Sequence, residues 1–183
     1  NNGDPRGLYI GIPADRQREH LMWEGEYVIK TLVTQPVNSI AFIPNSASVA
    51  DGTIAATVRA IDGADYAYLT LGCRAQNSEQ VSQYAVQLTV SPPALRLRRF
   101  DNGQPIGLVD WVEHPAIRGG RQSNRLELRC IGNTIAGVVN GVPIITHQDG
   151  RYQVGTWSMG TGTFGDMAGR SEGRFDDVEL RSR

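Results

Sequence analysis

A two-sheet antiparallel β-sandwich is the architecture this 183-residue sequence predicts, and three observations carry the prediction. Apolar and polar residues alternate with period two in short runs, spaced about ten residues apart, which is the pattern of half-buried strands. Pairs such as Asn102-Gly103 and Asn140-Gly141 separate the runs and supply the positive φ that tight hairpins demand. Helical periodicity is almost missing: one charged stretch, Ala14 to His20, could form a turn of helix, and it carries no apolar stripe.

Taken in order, Leu8–Ile12 is a short apolar strand, and His20–Trp23 with Tyr27–Leu32 flank the turn Glu24-Gly25. Ser39–Ile43 follows, then Thr53–Ile61, which ends at Asp62-Gly63. Tyr66–Arg74 and Gln83–Val90 alternate throughout, while Ala94–Phe100 and Ile106–Val112 flank Asn102-Gly103. Arg125–Ile131, Thr134–Val139 and Pro143–His147 form a three-strand unit, turned at Gly132-Asn133 and Asn140-Gly141 and closed by Asp149-Gly150. Gln153–Met159 comes next, the glycine-rich stretch Gly160 to Gly173 is expected to be a loop, and Gly173–Leu180 is the last strand. No domain boundary or internal repeat interrupts the series, so residues 1–183 are expected to form one domain, and so many strands favour two packed sheets.

Composition narrows the function classes. With 40% hydrophobic and 20% charged residues the chain can fill a core and is not expected to be disordered. A net charge of -1 argues against nucleic acid or an anionic membrane as partner, because both select a concentrated basic field. No run reaches the roughly 20 apolar residues of a membrane helix, so the chain is not expected to be membrane-embedded. The opening NNGDPRG is polar and has no signal-peptide pattern, which says nothing about export.

The two cysteines are placed alike. Ala67, Leu69, Leu71 and Cys73 share one face of their strand, and Leu126, Leu128 and Cys130 share one face of theirs. Each cysteine thus ends an inward, apolar row, and a Cys73–Cys130 disulfide is the expectation, with the oxidising compartment that disulfides mark. Two separate buried thiols are the other reading. Zinc is not expected, since His20, His114 and His147 stand at no ligand spacing from either cysteine.

Leu108, Trp111, Ala116 and Ile117 form the string L-x-x-W-x-x-x-x-A-I, followed by NRLELRCIGNTIAGVVNGVPI, by D-G-x-Y-x-x-G from Asp149 to Gly155, and by RFDDVEL from Arg174 to Leu180. In this order they resemble the concanavalin A-like (laminin-G-like) jelly-roll modules of bacterial extracytoplasmic proteins, over roughly Gly52 to Leu180. Trp23, Gly25 and Tyr27 resemble that family's opening strands. The resemblance implies a jelly-roll sandwich on the outer side of a bacterial envelope, extracellular or at the cell surface. Such modules often form the outward-facing C-terminal part of membrane-anchored proteins, some protein kinases among them. The GCR at Gly72–Arg74 and the RCIG at Arg129–Gly132 resemble the cysteine motifs of a subgroup, which supports the pairing. Family members span lectins, hydrolases and adhesion modules, so the fold transfers and the activity does not.

Catalytic constellations are not apparent. Hydrolases on such folds set two carboxylates on one strand face; Glu24 and Glu26 flank a turn, and Asp176 and Asp177 are adjacent and point oppositely. No histidine has a Ser or Cys partner in a motif. No cofactor is expected, although Asp176 or Asp177, with loop carbonyls and Asp166, could supply oxygens to a structural calcium; the other reading packs Phe175 and Val178 inward with an aspartate capping the loop. The candidate ligand surface is a sheet face: Tyr66, Tyr68 and Arg74 lie opposite Leu69 and Leu71, Arg96 and Arg98 lie opposite Leu95 and Leu97, and Tyr84 stands near. Trp23 beside its turn is the tryptophan expected to serve a ligand, whereas Trp111 and Trp157 are expected to be structural. The alternative is a solvated outer face with ordinary cross-strand pairs.

The function these features favour is non-catalytic extracytoplasmic recognition, with a glycan or surface polymer as partner by resemblance. A structural or assembly module is the alternative, self-associating through an edge strand or the arm Arg6 to Pro13. A glycoside hydrolase-like enzyme is third.

Overall fold

The computed structural model describes residues 18–33, 38–43, 48–63, 67–76, 80–164 and 169–182. Their strands are β1 (Arg18–Trp23), β2 (Glu26–Val33), β3 (Asn38–Phe42), β4 (Gly52–Asp62), β5 (Ala67–Gln76), β6 (Ser82–Val90), β7 (Pro93–Asp101), β8 (Gln104–Glu113), β9 (Asn124–Ile131), β10 (Thr134–Val139), β11 (Val142–Gln148), β12 (Thr156–Thr163) and β13 (Gly169–Ser182). Among the described residues there is no helix, and so none long and apolar enough to cross a membrane.

The strands form two antiparallel sheets, one of seven strands in the order β1-β2-β13-β4-β9-β10-β11 and one of six in the order β3-β12-β5-β6-β7-β8. Local hairpins build β1-β2, β5 to β8 and β9 to β11, and the chain changes sheet between these blocks. Glu24-Gly25, Asn102-Gly103 and Asn140-Gly141 each have both residues at positive φ, 51° and 86°, 49° and 80°, and 51° and 82°. That is the backbone of the two-residue turn whose twist matches the flanking strands.

The sheets pack through the inward rows that the alternation marks. Leu69, Leu71 and Cys73 of β5, Tyr84, Val86 and Leu88 of β6, and Leu95 and Leu97 of β7 meet Ile54, Ala56 and Val58 of β4 and Leu126, Leu128 and Cys130 of β9. Cys73 and Cys130 are joined across the core with their Cα atoms 6.7 Å apart. Trp157 also lies in the core, as expected.

Two expectations change. The stretch from Gly160 to Gly173 is largely strand, since β12 runs on to Thr163 and β13 begins at Gly169. Gly173 serves close packing: a Cβ there would sit 2.5 Å from Leu69 Cδ2. Arg18 to His20, part of the possible helical turn, belongs to β1 and pairs with β2. At the C-terminal end Phe175 is buried and Val178 packs against the core. Among the described residues no group of three or more His, Cys, Asp or Glu side chains is placed to hold a metal ion. Asp177 sits at φ 47° in an irregularity of β13, where its carbonyl oxygen accepts from Arg125 Nη1 at 2.7 Å. The strand Leu8–Ile12, the arm Arg6 to Pro13 and Asp166 lie outside the described residues.

Candidate functional site

The outer face of the six-stranded sheet is polar but withdrawn from water, contrary to a solvated face. Gln83 is 0% exposed, Gln87 2%, Tyr68 6% and Arg96 8%. Adjacent pairing of β5, β6 and β7 brings them together, with Thr70 opposite Gln87 and Gln87 opposite Arg96.

Arg96 is the centre of this face. Its guanidinium carbon lies 4.3 Å from the ring centroid of Trp111, 5.5 Å from that of Phe164 and 5.6 Å from that of Tyr68. Phe164 in turn meets Trp111 edge-on at 5.4 Å and Tyr68 at 5.2 Å. Arg96 Nε donates to Gln87 Oε1 at 2.6 Å, and Gln87 also hydrogen-bonds the Tyr68 side chain. Burial is the main reason the Arg96 guanidinium falls to a pKa of about 10; neighbouring Arg98 adds to the drop, while Tyr68 and Asp110 oppose it. Burial pushes the Tyr68 phenol up, against the field of Arg96. Stacking on aromatic faces is worth about 2 kcal/mol to a desolvated cation, and it offsets part of what burial costs.

Trp111 reaches this position through an irregularity in β8. Register shifts opposite Leu95–Leu97 and Leu97–Arg98 let Val109 and Val112 both turn to the core, and the intervening Trp111 swings out over Arg96. Beside it opens a cleft of about 240 Å³ bordered by Thr89, Ser91, Pro92, Trp111, Glu113 and Phe164. Thr89 Oγ1 is buried and has no hydrogen-bond partner among the described residues, and the same holds for Gln83 Nε2, whose Oε1 accepts from Ser158 at 2.6 Å. A cleft with aromatic edges and a few unfilled polar groups suits a small polar ligand with apolar patches.

Of the residues marked from sequence, Tyr68, Arg96 and Arg98 share this face. Tyr84 and Arg74 do not. Tyr84 points into the core, its hydroxyl donating to Asp149 Oδ1 at 2.7 Å and accepting from the Tyr152 amide at 3.1 Å. Arg74 lies in a β5 bulge at φ 52°, which turns its side chain inward. Its guanidinium donates to the carbonyls of Ala50 (2.9 Å), Gly132 (2.7 Å) and Tyr152 (2.9 Å) and meets Asp51 at 3.3 Å, tying three loops together beside the disulfide. Neither side chain is presented to a ligand. Trp23 is 54% exposed but ends β1 on the other sheet, apart from this cluster. Tyr66 lies outside the described residues. Trp111, expected from sequence to be structural, lies over Arg96 and borders the cleft, and Phe164, Gln87 and Thr89 escape sequence reading; the signal available is polar Gln87 and Thr89 in register with Gln83 along an otherwise apolar strand.

No protein-family model matches the chain, and no curated protein matches it in sequence. Solved structures do match. An alginate lyase A1-II′ superposes with a TM-score of 0.67 at 8% identity, over 97% of this chain and 88% of its own. Carbohydrate-binding module CBM66 from Bacillus subtilis gives 0.63 at 16% identity, over 89% and 86%. The fold is a concanavalin A-like jelly roll. A protein of unknown function with a galectin-like fold, also from Bacillus subtilis, gives 0.57 at 13% identity over 91% and 89%. At these identities the jelly roll is what is shared, and activity is a separate question.

Proposed function

We propose that this jelly roll is a non-catalytic carbohydrate-recognition module of the extracytoplasmic side, binding its ligand on the outer face of the six-stranded sheet. The observation that carries this reading is the aromatic shell of Trp111, Phe164 and Tyr68 around Arg96, opening onto a cleft with an unfilled Thr89 hydroxyl. A sugar ring offers apolar C–H faces and a rim of hydroxyls, and this surface offers aromatic edges and buried hydrogen-bonding groups in return. Structural relatives include a carbohydrate-binding module, which supports the ligand class. The disulfide supports an oxidising compartment.

Placement of the titratable groups favours binding over catalysis. Glu113 is the only carboxylate among the described residues bordering the cleft, whereas glycoside hydrolysis takes two. His20 Nδ1 bonds the Tyr27 hydroxyl on the other sheet, His114 Nδ1 accepts from the Ala116 amide, and His147 pairs with Ile135 in β10-β11. None of the three borders the cleft.

Affinity electrophoresis against a panel of polysaccharides tests the reading, with Trp111→Ala as the control. Retardation of the native protein is expected, and it is expected to be lost in the variant, whose β-sheet circular dichroism at the assay temperature shows that it is still folded although it melts lower without the stack. If no polysaccharide retards the protein, or the variant is retarded equally, the reading is wrong.

A further inference from the structure

We infer that the saccharide bound here is acidic, carrying a singly charged oxyanion (a uronic carboxylate or a sulfate ester) that pairs with Arg98 and the free edge of Arg96. The inference rests on the carbohydrate reading and narrows it.

The arginines on the outer faces of the two sheets are treated differently, whereas the inward Arg74 and Arg99 of the six-stranded sheet meet Asp51, Asp101 and Asp149. On the seven-stranded sheet Arg59 reaches Glu26 at 2.7 Å, Arg125 reaches Glu179 at 3.0 Å, Arg129 reaches Glu127 at 3.1 Å, and Arg174 reaches Glu172 at 2.9 Å and Glu26 at 3.0 Å. Arg96 and Arg98 have no carboxylate within ion-pair distance among the described residues, and they stand two apart on one strand, on the same face. The stack on Trp111, the Gln87 hydrogen bond and the field of Asp110 meet only part of that charge. A nearly buried guanidinium is costly unless its charge is met, and a like charge beside it adds to the cost. Two neutral side chains would pack there more favourably.

The geometry leaves a specific vacancy in hydrogen bonding. One face of the Arg96 plane is stacked on Trp111 and its Nε is engaged by Gln87, so the Nη edge is what remains to a ligand. An oxyanion accepts from such an edge with fixed geometry, where a neutral hydroxyl would leave the charge uncompensated. Thr89 Oγ1, which borders the cleft and has no partner among the described residues, is a further group for one of the sugar's own hydroxyls.

The test compares polygalacturonate with its fully methyl-esterified form, which has the same backbone without the charge, and dextran sulfate with dextran. Polygalacturonate or dextran sulfate is expected to bind, which of the two identifying carboxylate or sulfate, while the neutral counterparts bind at least about tenfold more weakly. Arg98→Gln, at a partly exposed position without an ion pair among the described residues, is expected to lower affinity by about the same factor while melting holds or rises slightly, since a like charge beside Arg96 is removed. Equal binding of charged and neutral polymers by the native protein overturns the inference and leaves the carbohydrate reading intact, whatever the variant does. Retention of none of these polymers overturns the inference, and the carbohydrate reading falls with it when the wider polysaccharide panel also gives no retardation.

Discussion

Arg96 lies 4.3 Å over the Trp111 ring and 2.6 Å from the Gln87 amide oxygen, so one cation is held by an aromatic plane from a neighbouring strand on one side and an amide from the other. Both contacts use features that lysine lacks, a flat delocalised head and an Nε donor. Arg96→Lys is therefore expected to lower unfolding free energy by about 1–2 kcal/mol and to change the near-ultraviolet circular dichroism of Trp111. Denaturant melts and the dichroism spectrum check it; a variant matching the native protein in both would show that the stack contributes nothing.

Arg74 is expected to be the most sensitive arginine for stability. It is buried and serves acceptors in three separate loops. Arg74→Met removes the fork and leaves these carbonyls unpaired, and a loss of about 3 kcal/mol or more should appear in urea denaturation.

The disulfide between Cys73 and Cys130, 57 residues apart in sequence, restricts the unfolded chain. On the chain-entropy account the double variant Cys73→Ala, Cys130→Ala loses about 4 kcal/mol. Because Leu71, Leu128 and the rest of the core remain, the variant is expected to keep its β-sheet circular dichroism at low temperature.

Stability should fall at both ends of the pH scale through one network. Burial alone would raise the Asp149 carboxyl, but the Tyr84 hydroxyl, the Arg151 amide and Arg99 outweigh it and hold it below the usual range. Asp101 is likewise held low, against its own burial, by Tyr152 and Arg99. Carboxyls depressed in the fold contribute stability above their ordinary value, near pH 4, and lose it as pH falls through the depressed one. Tyr84, raised by burial to about 12, has the opposite sense: its contribution is complete below about pH 10 and is lost as pH rises through the folded value. Asp149→Asn should flatten the acid limb and Tyr84→Phe the alkaline limb of melting temperature against pH.

The alternation of Leu69, Leu71 and Cys73, and of Leu126, Leu128 and Cys130, carries the sandwich and its disulfide, because a strand's period fixes which side chains face the partner sheet. The same parity places Tyr84 inward with Val86 and Leu88; its hydroxyl invites a surface reading, but Asp149 satisfies that hydroxyl at the core's edge. Arg74 and Trp111 defeat the rule for another reason. Each sits at a strand irregularity, where one extra residue reverses the faces, and period-two reading has no means to locate one. Phe164, beyond the end of β12, joins the cluster only through contacts between distant segments.

The central claim is that the outer face of the six-stranded sheet is the ligand surface, and chemical-shift mapping during titration with oligogalacturonides and dextran oligomers tests it most directly. Perturbations are expected to centre on Tyr68, Gln87, Thr89, Arg96, Arg98 and the Trp111 indole. Perturbations concentrated instead on Arg59, Arg125, Arg129 and their neighbours on the seven-stranded sheet, or on Trp23, would contradict the account.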